Sequence, residues 1–114
     1  MLPLLAASLR SGPIPANRVE IRASGFTPEK ITCWAGDQIS WRNDSRESHE
    51  LGVVNNDGKF VGFFDGALAP GAVSGVYSPS LRYDEKDKQQ TYTVDYVCRL
   101  HPHERGTIVV NPVP

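Results

Sequence analysis

Apolar and polar positions alternate along much of this chain, with a period of two rather than the wider spacing of a helix. Val19, Ile21 and Ala23 alternate with Glu20, Arg22 and Ser24, the signature of a strand with one face buried. Ile31 and Cys33 continue on one face until Ala35-Gly36-Asp37 turns the chain, and Ile39 and Trp41 follow at the same spacing. His49–Val54 runs into Asn55-Asn56-Asp57-Gly58, and Lys59–Phe64 returns after it, a short-range hairpin signal. Ala69-Pro70-Gly71 opens a further strand over Ala72–Tyr77. Leu81–Gln90 is polar and reads as a solvated excursion, where a short helix also fits. Tyr92, Val94, Tyr96 and Cys98 then alternate with Thr91, Thr93, Asp95 and Val97, and Thr107–Val110 is rich in β-branched residues. Seven or eight short strands with turns between them predict an all-β, two-sheet sandwich or a small barrel.

Composition narrows this picture. At 114 residues the chain has room for one domain. Ten glycines and nine prolines punctuate it too often for long helices. The formal charge of −1, with Lys and Arg scattered, lacks the basic excess of a nucleic-acid binder. No apolar run approaches a membrane span. Residues 1–16 read as an N-terminal lead-in, in which the apolar stretch 1–8 resembles the trailing half of a secretion signal, and 17–114 read as the folded domain.

One stretch departs from ordinary sandwich chemistry. Cys98-Arg99-Leu100-His101-Pro102-His103-Glu104 places a thiol, two imidazoles and a carboxylate in seven positions, between two predicted strands. The third histidine, His49, lies far upstream at the start of another strand. Thiolate and imidazole suit soft and borderline metals, and a His₂Cys set with a weak axial partner supports copper electron transfer. Donors at Cys98, His101 and Glu104 can turn around one ion, while His49 fixes a further corner from a neighbouring strand.

These residues, with Phe26-Thr27-Pro28-Glu29-Lys30-Ile31, Ala35-Gly36-Asp37-Gln38-Ile39-Ser40-Trp41 and Leu68-Ala69-Pro70-Gly71, resemble the cupredoxins, the small type 1 copper proteins. The loop pattern resembles the amicyanin and plastocyanin branch. The resemblance implies a Greek-key sandwich, one copper ion per chain, and ligands at His49, Cys98 and His101. It also implies a transient redox partner and an extracytoplasmic, periplasmic setting. Two positions depart from the family pattern. Its axial methionine falls at Glu104, and Met1 is the chain's one methionine. An asparagine that ties the two ligand loops together is replaced by Glu50. A carboxylate axial ligand favours Cu(II) over Cu(I) and makes Zn²⁺ a stronger competitor.

Other readings compete with this one. A copper-handling or tolerance protein would use the same ligands, and a catalyst akin to the red copper proteins would keep an open position for a small molecule. Cys33, Trp41, Tyr96 and Cys98 also match the disulfide, tryptophan and tyrosine pattern of a metal-free immunoglobulin-like recognition domain. Glu104 has a plainer role available as a solvated carboxylate paired with Arg99 or Arg105. His103 reads as an exposed histidine beside the site, and Cys33 as a small core residue.

Overall fold

A computed structural model describes residues 17–113; the possible signal remnant at 1–8 lies outside them. Among the described residues eight strands form two sheets: β1 (Arg18–Arg22), β2 (Gly25–Thr27), β3 (Lys30–Trp34), β4 (Ser40–Asn43), β5 (Leu51–Val54), β6 (Phe60–Gly62), β7 (Tyr92–Cys98) and β8 (His101–Asn111). One sheet has the order β2-β1-β4, with β1 antiparallel to β2 and parallel to β4. The other has the order β3-β8-β7-β5-β6. The all-β, two-sheet sandwich expected from the alternation is the observed architecture. Among the described residues no helix is long and apolar enough to cross a membrane.

Period-two burial builds the core. Val19 and Ile21 from β1, Ile39 beside β4 and Trp41 within it, Tyr96 from β7 and Ile108 and Val110 from β8 are almost fully enclosed. Trp41 is the hub. Its ring meets Tyr96, Phe63, Phe64 and Tyr77 at centroid separations of 5.4 to 6.5 Å, inside the range where aromatic pairs gain beyond simple area burial. Its indole Nε1–H donates to the Tyr96 hydroxyl at 3.1 Å, so this buried polar atom of the core has a partner. Opposite Tyr96 across the β7–β8 ladder lies Gly106, where any Cβ would overlap the tyrosine ring. Glycine is required there for close approach rather than for backbone freedom.

Three expectations need correction. Ala23 is exposed and begins the turn after β1, because Gly25 carries a positive φ of 123° and reverses the chain. Ala72–Tyr77 is not a regular strand. It follows β4 through isolated bridges at Val73 and Tyr77, and the Trp41 N–H goes to the Ser74 hydroxyl instead of a carbonyl, which interrupts the ladder. Finally, the stretch from Cys98 to Glu104 does not lie between two strands. Arg99-Leu100 forms a tight turn, and β8 begins at His101, with a register irregularity where Cys98 faces His101.

The same topology removes the disulfide. Cys33 pairs with Val110, which faces Tyr92 at one end of β7, while Cys98 stands at the other end of that strand. Both cysteines are therefore in one sheet, about 20 Å apart at strand rise, where a bridge needs Cα atoms within about 7 Å. Both are free and buried. The immunoglobulin-like alternative, which needs an inter-sheet bridge, fails on this point.

Candidate metal centre

Three side chains from one seven-residue stretch and a fourth from far upstream meet at the end of the sandwich where β7 hands over to β8. Cys98 closes β7 and is fully buried. His101 opens β8, and Glu104 follows on the same strand. From Glu104 the inward face continues through Gly106, Ile108 and Val110, so the strand's own alternation turns the carboxylate into the protein, where it is 8% exposed. His49 comes from the chain between β4 and β5. Its backbone exchanges two hydrogen bonds with Leu68, and its ring is 1% exposed.

One ligand-type atom from each of these residues lies within 4.8 Å of all the others. His49 Nδ1 is 2.9 Å from Glu104 Oε1, His101 Nδ1 is 3.7 Å from the same oxygen, and Cys98 Sγ is 3.5 Å from His101 Nδ1. The imidazole rings lie 4.7 Å apart, centroid to centroid. Close as they are, His49 Nδ1 and Glu104 Oε1 are buried and neither makes a hydrogen bond. Two unpaired polar atoms in the interior each cost on the order of 1–3 kcal/mol, unless a cation between them takes up both lone pairs.

The surrounding hydrogen bonds fix which ring nitrogens face inward. Asn43 is fully buried and has every valence used: its Nδ2 donates to the Glu47 and Leu68 carbonyls, and its Oδ1 accepts from the Ser45 N–H and hydroxyl. The Ser45 hydroxyl has two carbonyl acceptors, Asn43 Oδ1 at 2.7 Å and the Glu47 carbonyl at 3.0 Å, and with its proton on either of them the Ser45 oxygen, 2.8 Å from His49 Nε2, accepts from that ring nitrogen. His49 Nδ1 is left as a bare lone pair. His101 Nε2 lies 2.9 Å from a Glu47 carboxylate oxygen, an acceptor only, which leaves His101 Nδ1 with its lone pair toward Cys98. Two imidazole nitrogens, one thiol sulfur and one carboxylate oxygen form a mixed soft and borderline donor set, and it fits a type 1 copper site.

The residues singled out in the sequence are placed as follows. His49, Cys98, His101 and Glu104 come together. His103 is exposed, its ring 6.3 Å from that of His101. Glu104 is not the solvated partner of an arginine. Arg99 instead binds Glu50, with Nη2 at 2.9 Å and Nε at 3.0 Å from one carboxylate oxygen, and its backbone N–H donates to the Glu50 carbonyl. Glu50 and Arg99 therefore link the segments after His49 and after Cys98, the job that an asparagine does in the family pattern. Cys33 is remote, and burial pushes its thiol up to about 11. The reading of the sequence missed Asn43, Ser45 and Glu47.

Comparison with known proteins bears on the fold. No family model matches the chain. In sequence it is 27% identical over 111 residues to amicyanin-alpha of Methylorubrum extorquens, covering 90% of this chain and 78% of that protein. In structure it is similar to amicyanin from Paracoccus versutus, with a TM-score of 0.65 and 19% identity over 90% of this chain and 87% of the other. A purple cupredoxin from Nitrosopumilus maritimus superposes with a TM-score of 0.64 and 18% identity, over 82% of this chain and 98% of the other. The four-donor cluster thus stands at the end of a sandwich with the cupredoxin fold, in a chain whose sequence is similar to an amicyanin.

Proposed function

We infer that the chain holds one copper ion between His49, Cys98, His101 and Glu104 and serves as an electron carrier. The observation that carries this reading is the convergence of the four donor atoms within 4.8 Å, two of them buried without a hydrogen bond. Copper, when bound, supplies a one-electron couple. The chain's own residues do the rest. Cys98, Leu51 and Tyr96 are nearly closed to solvent, so water is kept from the thiol side. Cys98 and His101 stand at the facing ends of two paired strands, and His49 is pinned to Leu68. A donor set held on strands changes little in geometry between two charge states. Glu104 adds a buried negative charge beside the ion, which favours the more highly charged oxidation state.

His101 is the outermost of the four donors, its side chain 22% exposed. It is the place for a transient redox partner to approach, in an encounter of small area. Export to the periplasm, or another extracytoplasmic setting, follows from the likeness to amicyanin. The test is optical. Copper-loaded protein gives an intense thiolate-to-Cu(II) absorption, and Cys98→Ser removes it. Absence of that band in the wild type, or its survival in the variant, contradicts the reading.

A second reading, small-molecule chemistry at the copper, draws on one feature. A hollow of about 270 Å³ lies against Glu104 and is lined also by Phe26, Glu29, His103 and Arg105. Azide separates the two readings. An electron carrier's copper spectrum is indifferent to azide, while a catalyst's changes.

A further inference from the structure

The stretch Ser45-Arg46-Glu47 supplies none of the four donor atoms, yet it reaches both imidazoles from behind. Ser45 Oγ is 2.8 Å from His49 Nε2, and Glu47 Oε1 is 2.9 Å from His101 Nε2. The stretch is itself held. Asn43 Nδ2 donates to the Glu47 carbonyl, Asn43 Oδ1 accepts from the Ser45 N–H, and the Glu47 N–H donates to Ser45 Oγ at 3.2 Å. A short turn anchored on a buried asparagine therefore places one neutral and one anionic acceptor against two different rings.

We propose that Ser45 and Glu47 are positioning residues that orient His49 and His101 and make them unequal as ligands. The proposal rests on the metal site argued above. Each acceptor holds the proton on Nε2, so Nδ1 of each ring keeps its lone pair toward the donor cluster. The acceptors differ in charge. A hydroxyl only orients its ring. A carboxylate also draws the Nε2 proton and raises electron density on Nδ1, so His101 is the stronger donor and stabilises Cu(II) over Cu(I). Glu47 is 71% exposed and lies across the His101 ring edge, so it also sets the chemistry of that edge: an approaching partner meets a carboxylate before it meets imidazole.

Position and charge are separable by substitution. Glu47→Gln keeps the reach but loses the charge, and Ser45→Ala loses the acceptor at the other ring. Ser45→Thr keeps a hydroxyl there and is the conservative control. Three quantities are read on each protein: Zn²⁺ affinity by chelator competition, the copper reduction potential, and the melting temperature without metal. Outer partners of metal-bound histidines are typically worth about 10- to 100-fold in affinity.

The expected result is a Zn²⁺ affinity about tenfold weaker in both Glu47→Gln and Ser45→Ala, restored in Ser45→Thr. The potential rises in Glu47→Gln by about 59 mV if the preference for Cu(II) over Cu(I) falls tenfold, and stays near wild type in Ser45→Ala. Metal-free melting of Glu47→Gln is unchanged, since the side chain is exposed. Wild-type affinity and potential in Glu47→Gln would overturn the proposal while leaving the metal site standing. A wild-type protein that binds neither Zn²⁺ nor copper would instead overturn the site itself.

Discussion

The two cysteines of this protein are in the same five-stranded sheet, both buried and both free, yet their surroundings could hardly differ more. Cys33 belongs to the apolar cluster with Ile31, Ile108 and Val110. Low polarizability around it disfavours the thiolate, and burial pushes its thiol up to about 11. At the other end of the sheet, Cys98 faces two imidazole nitrogens and a carboxylate oxygen. Burial is common to both sites, so it does not decide what a thiol does. The donors gathered beside it do, and here they are gathered by a short stretch whose strand phase turns Glu104 inward and by one bridged histidine from far upstream.

The sharpest way to break this contrast is to exchange sulfur for oxygen at each site. Cys98→Ser abolishes the thiolate-to-Cu(II) band, whereas Cys33→Ser retains it with an unchanged copper stoichiometry; loss in both variants would mean that the two ends are not independent. Glu104→Met comes next. Replacing the buried carboxylate by a thioether removes a negative charge beside the ion, so the reduction potential rises and the Cu(II) spectrum moves toward the ordinary blue type. An unaltered potential and EPR spectrum would show that Glu104 is not at the metal.

A packing test probes the scaffold common to both ends. Gly106→Ala forces a methyl group into the Tyr96 ring and costs about 1–3 kcal/mol in denaturant unfolding of the metal-free protein. Little change in that measurement would mean that β7 and β8 separate more readily than their packing implies. The smallest effect concerns Cys33. In the unfolded chain its thiol ionises near its ordinary value of 9.0, and in the folded protein only near 11. The folded state thus binds more protons between those values, and stability falls as pH rises from about 9 to about 11. The decline is shallower in Cys33→Ser, measured by unfolding titrations across that window.

Much of this was legible in the residues alone, and the reasons differ from element to element. Strands with one buried face show themselves through alternation, as Val19/Ile21 and Tyr92–Cys98 do. Asp57-Gly58 marks the β5–β6 hairpin because Gly58 takes a positive φ of 78° there. Cys98, His101 and Glu104 stood out because their residue types are chemically unusual together. Glu104 was harder. Its inward direction was present in the run Glu104-x-Gly106-x-Ile108-x-Val110, but a glycine and a carboxylate at two of the four positions hide the period from a search for apolar residues. The irregular passage beside β4 was read as a strand because apolar residues recur in Ala72–Tyr77, while the Ser74 hydroxyl that interrupts its ladder acts through a partner 33 residues away. Glu47 was not legible, since its contact exists only once β8 has brought His101 beside the 43–49 turn, and Ser45 was not, since its bonds to Asn43 and His49 form in an irregular turn that carries no apolar period.

The most direct test of the central claim is X-ray absorption at the copper edge of the loaded wild-type protein. The account predicts one metal per chain bound by a single sulfur and two imidazole nitrogens, with the sulfur contribution lost in Cys98→Ser. A copper shell of nitrogen and oxygen alone, unchanged by that substitution, would contradict it.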